Sequence, residues 1–469
     1  MNHSYKELIE QSYHFPQEGF QLVDGFLQFN DVDLSKLIKK YGTPFRLTYL
    51  PKIKSQIVKT RQFFNDSIKK HNYSGRYEFC YCTKCCHFSH VVRSAMRENV
   101  SLETSSSFDI DLIERLFENH RIDEDRYIIH NGYKTSDYLS KIERLHNLGF
   151  HHSVTIIDDI EELDKLDKLE VDVPLKIGFR LSIEQDPSAS YYTSRLGLNK
   201  NEILNIVRTR IKDNPRFELK MVHFFVDSGI SDSLYYWGEF KKVLDLYIEL
   251  KCLIPELSAL NIGGGFPIRN SLGFKFDYAA MADMIIENIK SSCDEANVEH
   301  PNIYTEFGKY TVGESGAVIF EVLTQKQQND TELWYIINNS LMNTIPDAWS
   351  LNEKFILLPI NKWEFPYKRV NIGGISCDQH DYYNSEELNQ QIVLPTYEKS
   401  DSEALYIGFF HTGAYQDSIS GYGGIKHCLI PSPKQVIVDM DEDGNHIDFL
   451  YRDEQSVKTM LDILGYNDE

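Results

Sequence analysis

Hydrophobic residues between positions 46 and 312 follow two alternating patterns. Short apolar or β-branched runs, typical of strands buried on both faces, alternate with longer stretches in which apolar residues recur at helical spacing. The runs predict eight strands: Tyr77–Lys84, Val100–Thr104, Tyr127–Asn131, Val154–Asp158, Leu175–Leu181, Leu219–Phe225, Ala259–Gly263 and Ile303–Glu306. Eight strand-and-helix units in about 260 residues match the size of a (β/α)8 barrel of the TIM type, and a doubly wound open sheet is the structural alternative.

Short apolar runs continue beyond residue 312, but regular helical stretches no longer separate them. The strands predicted there are Val318–Leu323, Leu333–Ile337, Phe355–Pro359, Gln391–Pro395, Leu405–Phe410 and Gln435–Asp439. Such a series is typical of a β-rich domain of the Greek-key or sandwich kind. We therefore expect an α/β protein in which residues 46–312 form the barrel. Residues 313–469, joined by residues 1–45, are expected to form the β-rich domain.

The chain of 469 residues carries 70 acidic and 49 basic side chains, a formal net charge of −21. Nucleic acids and anionic membranes bind to clustered cations, so this balance argues against either as a partner. The first 16 residues lack the features of a signal peptide. Apolar runs stay below the roughly 20 residues that a membrane helix needs. We expect a cytoplasmic protein.

Four of the eight cysteines lie close together, at Cys80, Cys82, Cys85 and Cys86. A structural zinc site usually has two ligand pairs separated by a loop, and this cluster lacks that spacing. Cys80 and Cys82 also share one face of a predicted strand. We therefore interpret the cluster as packing thiols and expect no bound metal.

The carboxyl ends of barrel strands usually carry the active-site groups. Polar residues and glycines concentrate at these positions here: Lys84, Glu103, Asn131, Arg180, His223, Gly263–Gly265, Glu306 and Lys309. A glycine triplet lets backbone N–H groups approach an anion, and barrel phosphate sites use the loops after strands seven and eight. Burial is expected to lower the pKa of Lys84 and favour a Schiff base. A lysine, a phosphate site and a carboxylate such as Glu306 together suggest pyridoxal phosphate.

Six short motifs occur in a fixed order along nearly the whole chain. They are Tyr81-x-x-Lys84, His223-Phe224-x-x-x-Ser228, Gly263-Gly264-Gly265-Phe266, Glu306-x-Gly308-Lys309, Cys377-Asp378-x-x-Asp381 and Gly413-Ala414-Tyr415-Gln416. This series resembles the barrel-type (fold type III, alanine-racemase-like) pyridoxal-phosphate decarboxylases of basic amino acids. Within that family, stretches such as Asn131–Lys134 and Pro346–Trp349 are most similar to biosynthetic arginine decarboxylase.

The resemblance implies a role for each matched residue. Lys84 would bind the cofactor covalently, Glu306 would pair with its ring nitrogen, and Cys377 would supply a proton after CO2 leaves. The implied cofactor-binding residues are Lys84, Glu103, Arg180, Phe225, Ser228, Gly264, Gly265, Glu306, Lys309 and Tyr415. Asp378 and Asp347 would bind the cationic group of the substrate. The family works as a homodimer with shared active sites, in which the partner subunit contributes Cys377.

Three positions depart from the family pattern. Phe225 replaces a histidine that stacks on the cofactor ring, Lys309 replaces an arginine, and Asp227 replaces a glycine. The expected reaction is the conversion of L-arginine to agmatine and CO2, in polyamine biosynthesis. Ornithine, lysine or a carboxylated polyamine are alternative substrates, and an inactive regulatory homologue is a further alternative. Taken singly, Cys377 and Tyr415 could be packing residues, and Asp378 and Asp347 could be turn carboxylates.

Overall fold

The computed structural model describes residues 3–183, 194–383, 392–398, 401 and 403–466. The chain divides into two compact units. The barrel unit comprises Ile53–Pro267 and Phe276–Thr311. The β-rich unit comprises Met1–Lys52, Ile268–Lys275 and Val312–Glu469.

Eight parallel strands form a closed barrel in the first unit. In chain order they are Tyr77–Cys82, Ser101–Thr104, Ile128–His130, Ser153–Ile157, Leu175–Arg180, Phe217–His223, Ala259–Asn261 and Asn302–Thr305. Each strand pairs with the next, and the eighth pairs with the first. The predicted barrel is therefore confirmed, and the open doubly wound sheet is excluded because an open sheet has two unpaired edges.

Helices alternate with the barrel strands, the first of them preceding the first strand. Their bounds are Leu50–Lys70, Ser89–Met96, Ser107–Glu118, Ser136–Asn147, Ile160–Leu166, Lys200–Ile206, Leu234–Leu253, Tyr278–Glu295 and Gly308–Val312. Several begin at side-chain caps: Thr135 Oγ1 accepts from Tyr138 N–H at 3.2 Å, and Asp277 Oδ1 accepts from Ala280 N–H at 2.9 Å. These caps satisfy backbone N–H groups in the first turns of the helices.

The first strand ends earlier than its hydrophobic pattern predicts. It stops at Cys82, and a 3-10 turn over Thr83–Cys85 carries Lys84. The hydroxyl of Thr83 donates to the Glu103 carbonyl at 3.0 Å and to Asp109 Oδ1 at 2.9 Å. Lys84 therefore lies on a turn that is fixed to the neighbouring strand.

A mixed sheet of eight strands dominates the second unit. Its main path runs Ile356–Pro359, Tyr406–Phe410, Gly316–Gln327, Phe45–Tyr49, Lys434–Met440 and His446–Arg452, and Leu333–Ile337 and Asn371–Gly373 branch from it. Phe45–Tyr49 is a central strand, antiparallel to Gly316–Gln327 and parallel to Lys434–Met440. Its side chains Phe45 and Leu47 are buried in the core of this unit. The predicted β-rich domain is confirmed.

Smaller sheets and short helices complete this unit. Phe20–Val23, Phe26–Phe29 and Val32–Asp33 form a three-stranded sheet, and Tyr367–Arg369 pairs with Val393–Pro395. Gln391, the first residue of one predicted strand, lies outside the described residues. The helices are Tyr5–Glu10, Leu34–Tyr41, Leu341–Thr344, Pro346–Ser350, Gln416–Ile419 and Val457–Leu464. Among the helices in the described ranges, none combines the length and the apolar character that crossing a bilayer requires.

Candidate active site

Two carboxylates meet at the carboxyl ends of the barrel strands. Asn131 bridges them: its Nδ2 donates to Glu103 Oε1 at 2.9 Å and to the two oxygens of Glu306 at 3.0 and 3.1 Å. Lys84 Nζ lies 3.2 Å from the same oxygen of Glu103. Three residues predicted from different strands, Lys84, Glu103 and Glu306, therefore lie in one cluster.

Glu306 is held in its ionised form by the groups around it. Asn261 Nδ2 donates to Glu306 Oε1 at 2.6 Å, and His223 Nε2 lies 3.5 Å from Oε2. Burial raises the pKa of Glu306, but His223, Lys84 and the Asn261 hydrogen bond outweigh burial and lower that pKa to about 2. A carboxylate that stays negative can hold a proton on a facing ring nitrogen.

The lowered pKa expected for Lys84 is wrong. Burial does lower the pKa of its amine, but the negative charges of Glu103 and Glu306 act against burial, and the pKa is raised above its ordinary value. Glu103 is fully buried, and burial raises the pKa of its carboxyl in turn. The lysine side chain keeps 42% of its surface exposed, so its amine remains accessible from solvent.

Backbone hydrogen bonds join the loops that follow the sixth, seventh and eighth strands. Ile230 N–H donates to the Gly265 carbonyl, and Glu306 N–H donates to the Gly263 carbonyl, both at 2.8 Å. Gly265 has a φ of +117°, and a Cβ there would lie 3.0 Å from Gly229 Cα. Only glycine fits such a close approach in this backbone conformation.

Besides Gly265, three residues predicted to bind the cofactor lie on or directly after these joined loops. Ser228 is exposed directly before Gly229, and Gly264 is half-buried beside the Glu306 carbonyl. Lys309 is half-buried in the short helix Gly308–Val312. Glycine backbone, a hydroxyl and an ammonium on neighbouring loops provide the donors that a phosphate needs.

Arg180 and Phe225 contact each other at the ends of the fifth and sixth strands. The guanidinium carbon of Arg180 lies 5.9 Å from the centroid of the Phe225 ring, within the range of a cation–π contact. On its other side, Arg180 Nε lies 4.0 Å from Asp158 Oδ1. Asp158 is buried, and within the described ranges neither of its carboxylate oxygens accepts a hydrogen bond.

A buried lysine compensates the acidic groups behind Arg180. Lys134 is fully buried, and its Nζ donates to the Ile156 carbonyl and lies 3.4 Å from Glu162 Oε2 and 4.0 Å from Asp158 Oδ2. Burial lowers the pKa of this lysine, and the two carboxylates act against that shift. Lys134 therefore compensates the negative charge of Asp158, the carboxylate that also lies beside Arg180.

Lys134→Met is expected to lower the free energy of unfolding by about 3 to 5 kcal/mol, because Glu162 and Asp158 would remain buried without a compensating charge. Urea denaturation followed by circular dichroism measures this loss. Lys168→Met, at an exposed position of the same unit, is the control and should change stability by less than about 0.5 kcal/mol. An unchanged unfolding midpoint for Lys134→Met would contradict this account of the cluster.

The cysteines at the first strand have packing roles. Cys80 belongs to a core cluster with Ile129 and Met221. Cys85 leaves no room for a side chain at Gly308, where a Cβ would lie 2.1 Å from its sulfur. Cys82 Sγ and the carboxylates of Glu103 and Glu306 offer three ligand atoms within 4.8 Å, a set that could hold a metal ion. Both carboxylates already accept hydrogen bonds from Asn131.

The other predicted residues lie in the β-rich unit. Cys377 is exposed on a loop, and Asp378 Oδ1 accepts from His380 N–H at 2.8 Å. Asp381 is buried instead: it accepts from Leu341 N–H at 2.8 Å and from Ser376 N–H at 3.2 Å. Asp381 is therefore a structural carboxylate that fixes the loop carrying Cys377 and Asp378.

Asp347 and Tyr415 belong to neighbouring segments of the same unit. Asp347 is buried, and its Oδ2 accepts from Gln416 Nε2 at 2.7 Å. Tyr415 has a φ of +66°, a left-handed conformation that is rare for a non-glycine residue. Such strain occurs most often at functional positions.

Asn261 was not predicted from the sequence as a hydrogen-bond partner of Glu306. The predicted seventh strand extended to Gly263, so the glycine triplet alone marked its end. The strand stops at Asn261, whose Oδ1 also accepts from Gly263 N–H at 2.9 Å. A polar residue that ends an otherwise apolar strand was the available signal.

The barrel residues fit pyridoxal phosphate. Glu306 can face a ring nitrogen, the joined glycine loops can hold a phosphate, and Lys84 can react with an aldehyde. Glu103 Oε2 and Asn131 Oδ1 are buried, and no hydrogen-bond partner for them occurs among residues 3–183, 194–383, 392–398, 401 and 403–466. Buried polar atoms without a hydrogen-bond partner are expected at a site that binds a polar group.

Residues 55–313, more than half of the chain, match the model of the pyridoxal-dependent decarboxylase family, pyridoxal binding domain. The chain belongs to this family. It is a pyridoxal-5′-phosphate-dependent decarboxylase, so the expected enzyme class and cofactor are confirmed.

Relatives within the pyridoxal-dependent decarboxylases align with nearly the whole chain. Biosynthetic arginine decarboxylase of Prochlorococcus marinus (strain MIT 9215) is 22% identical and covers 93% of this chain and 85% of its own. The crystal structure of biosynthetic arginine decarboxylase from Campylobacter jejuni superposes with a TM-score of 0.80 at 19% identity, covering 99% and 90%. Diaminopimelate decarboxylase from Helicobacter pylori gives 0.72 at 18%, covering 92% and 99%. Such structural likeness shows the shared fold.

Proposed function

We propose that this decarboxylase converts L-arginine to agmatine and CO2, a reaction of polyamine biosynthesis. The observation that carries the proposal is the alignment with enzymes named biosynthetic arginine decarboxylase over 93% of the chain, through both the barrel and the β-rich unit. The cysteines form no disulfide among the described residues, which fits a reducing compartment such as the cytoplasm.

In the proposed reaction the barrel residues bind and orient the cofactor. Bound pyridoxal phosphate supplies an electron sink for the bond that loses CO2. Lys84 attaches it, the negative charge of Glu306 keeps the ring nitrogen protonated, and Glu103 and Arg180 hold the lysine and the ring in position. Ser228, Gly264, Gly265, Lys309 and Tyr415 are the proposed phosphate ligands. Phe225 is the proposed stacking surface for the ring.

Cys377 is the proposed proton donor. A general acid must carry its proton when the reaction needs it. The hydrogen bond between Cys377 and Cys428 raises the pKa of the Cys377 thiol, which favours the protonated form. We propose that a homodimer forms and that the partner subunit provides this thiol, so that each active site combines residues of two chains.

Asp378 is the proposed ligand of the substrate guanidinium, and Asp347 is a second candidate. Hydrogen bonds from His380, above all from its backbone N–H, lower the pKa of Asp378, so the side chain carries a negative charge. A carboxylate can accept two parallel hydrogen bonds from a guanidinium, which it cannot do from an ammonium. This geometry favours arginine over lysine and ornithine.

A panel of basic amino acids tests the choice of substrate. We expect kcat/KM for CO2 release to be at least about tenfold higher with arginine than with ornithine, lysine or a carboxylated polyamine, since only the guanidinium can donate two parallel hydrogen bonds to one carboxylate. Equal rates across the panel, or a preference for lysine or ornithine, would overturn arginine as the substrate.

Asp378→Asn is expected to raise KM for arginine by roughly 10- to 100-fold, the loss of about 1.5 to 3 kcal/mol from a charged hydrogen bond, with a smaller change in kcat. Steady-state kinetics with purified enzyme measure both constants. Asp443→Asn, an exposed turn position of the same unit, serves as the control and should match wild type. An unchanged KM in Asp378→Asn would assign the cation-binding role to another residue.

A further inference from the structure

Two exposed thiols face each other in the β-rich unit. The sulfurs of Cys377 and Cys428 lie 3.4 Å apart, and both cysteines are free and exposed. A disulfide needs the sulfurs at about 2.0 Å, so a small movement of either side chain closes the gap. The other exposed cysteine of the chain, Cys252, belongs to the barrel unit.

The two thiols are adjacent because both of their loops are fixed to one segment. Asp381, four residues after Cys377, accepts hydrogen bonds from Ser340 Oγ at 3.1 Å and from Leu341 N–H at 2.8 Å. On the other side, Asn343 Nδ2 donates to the His427 carbonyl at 2.9 Å. The short segment 340–343 therefore positions both sulfurs, and their proximity does not depend on two independent surface loops.

The backbone at Cys428 is held in an uncommon conformation. Cys428 has a φ of +55° and the next residue, Leu429, has a φ of +51°, although neither is glycine. Non-glycine residues adopt this region at a cost, and they persist there only where the surrounding structure holds them. In this conformation the Cys428 sulfur lies beside that of Cys377.

We propose that Cys377 and Cys428 are a redox-sensitive pair, which a hydroperoxide oxidises to a disulfide. Cys428, as the thiolate, attacks the peroxide oxygen, forming a sulfenic acid and releasing water or an alcohol. The second thiol, Cys377, then attacks that sulfur, forms the S–S bond and displaces the sulfenic hydroxyl as water. Two thiols and one hydroperoxide therefore give one disulfide, one water and the water or alcohol of the first step. A dithiol reverses the reaction by thiol–disulfide exchange.

The consequence for turnover rests on the proposed role of Cys377 in the decarboxylation. A sulfur in a disulfide has no proton to donate, so oxidation removes the proposed general acid. Loss of a positioned general acid typically slows a reaction by roughly 10²- to 10⁴-fold. Because a reductant restores the thiol, the loss is reversible.

Treatment of the holoenzyme with hydrogen peroxide tests both the formation of the disulfide and the reversible loss of activity. We expect the enzyme to lose two of its eight thiols, to yield a linked peptide pair containing Cys377 and Cys428 in one chain, and to regain thiols and activity with dithiothreitol. Cys252→Ser is the matched control and should lose the same pair. In Cys428→Ser no link can form, so Cys377 is expected to pass to the sulfinic acid, which dithiothreitol does not reverse.

The outcomes separate this inference from the proposed function. An active arginine decarboxylase that shows no Cys377–Cys428 link after peroxide would overturn the redox pair. The same holds if the link joins two chains or involves Cys82 and Cys85. If the link forms but no basic amino acid is decarboxylated, the proposed function fails and the thiol pair stands.

Discussion

Lys84→Ala is expected to lose both the absorbance of the lysine-bound cofactor and the decarboxylation of every substrate, the latter on the order of 10⁴-fold or more. Lys84 lies on a fixed turn with its amine 3.2 Å from Glu103 and its side chain accessible. No other lysine lies in the described cluster of Glu103, Asn131 and Glu306. An absorbance spectrum and a CO2-release assay measure the two losses.

Lys69→Ala, at an exposed position of the helix Leu50–Lys70, controls for the removal of a lysine from the surface. It should keep the spectrum and the activity of wild type. A Lys84→Ala protein that retains the absorbance band would show that another amine binds the cofactor, and the proposed site would then be wrong.

Glu306→Gln is expected to lower kcat by roughly 10²- to 10³-fold, since a neutral amide cannot keep the ring nitrogen protonated and the electron sink weakens. The pKa of Glu306 is about 2, so the wild-type side chain is ionised throughout the assay range. The loss should therefore be nearly constant between about pH 6 and pH 9. Cofactor absorbance, kcat and its pH profile test this expectation.

Glu118→Gln, an exposed residue of the helix Ser107–Glu118, is the matched control and should leave kcat unchanged. A Glu306→Gln enzyme that keeps the wild-type kcat between about pH 6 and pH 9 would point to another partner for the ring nitrogen. Loss of cofactor binding together with loss of fold would be visible by circular dichroism.

The sequence was sufficient for the barrel because each of its strands is a compact apolar run between amphipathic helices. It was also sufficient for Lys84, Glu103 and Glu306, which stand at strand ends and converge because parallel strands share one rim. The strand ends were less well predicted: the first and seventh strands were predicted to reach Lys84 and Gly263, but they end at Cys82 and Asn261.

Other features depend on contacts between segments far apart in the chain. The pKa of Lys84 is raised by the carboxylates of Glu103 and Glu306, which come from two other strands. The sequence around Lys84 does not indicate whether burial, which lowers this pKa, or the carboxylates, which raise it, have the larger effect. The thiol pair joins Cys377 to Cys428, and its geometry depends on hydrogen bonds to residues 340–343. The strand Phe45–Tyr49 has an ordinary sequence, but its central place in the sheet is set by partners from the end of the chain.

That central strand has a consequence for folding during synthesis. Phe45–Tyr49 leaves the ribosome before the barrel does, but its partners Gly316–Gln327 and Lys434–Met440 emerge after the barrel. The barrel can therefore close before the sheet is complete. The missing strand pairs join residues far apart in the sequence, and such pairs form slowly. A chain released near residue 312 would present Phe45–Tyr49 with both edges unpaired, a template for association with other chains. The β-rich unit is therefore the first to be synthesised in part and the last to complete its fold.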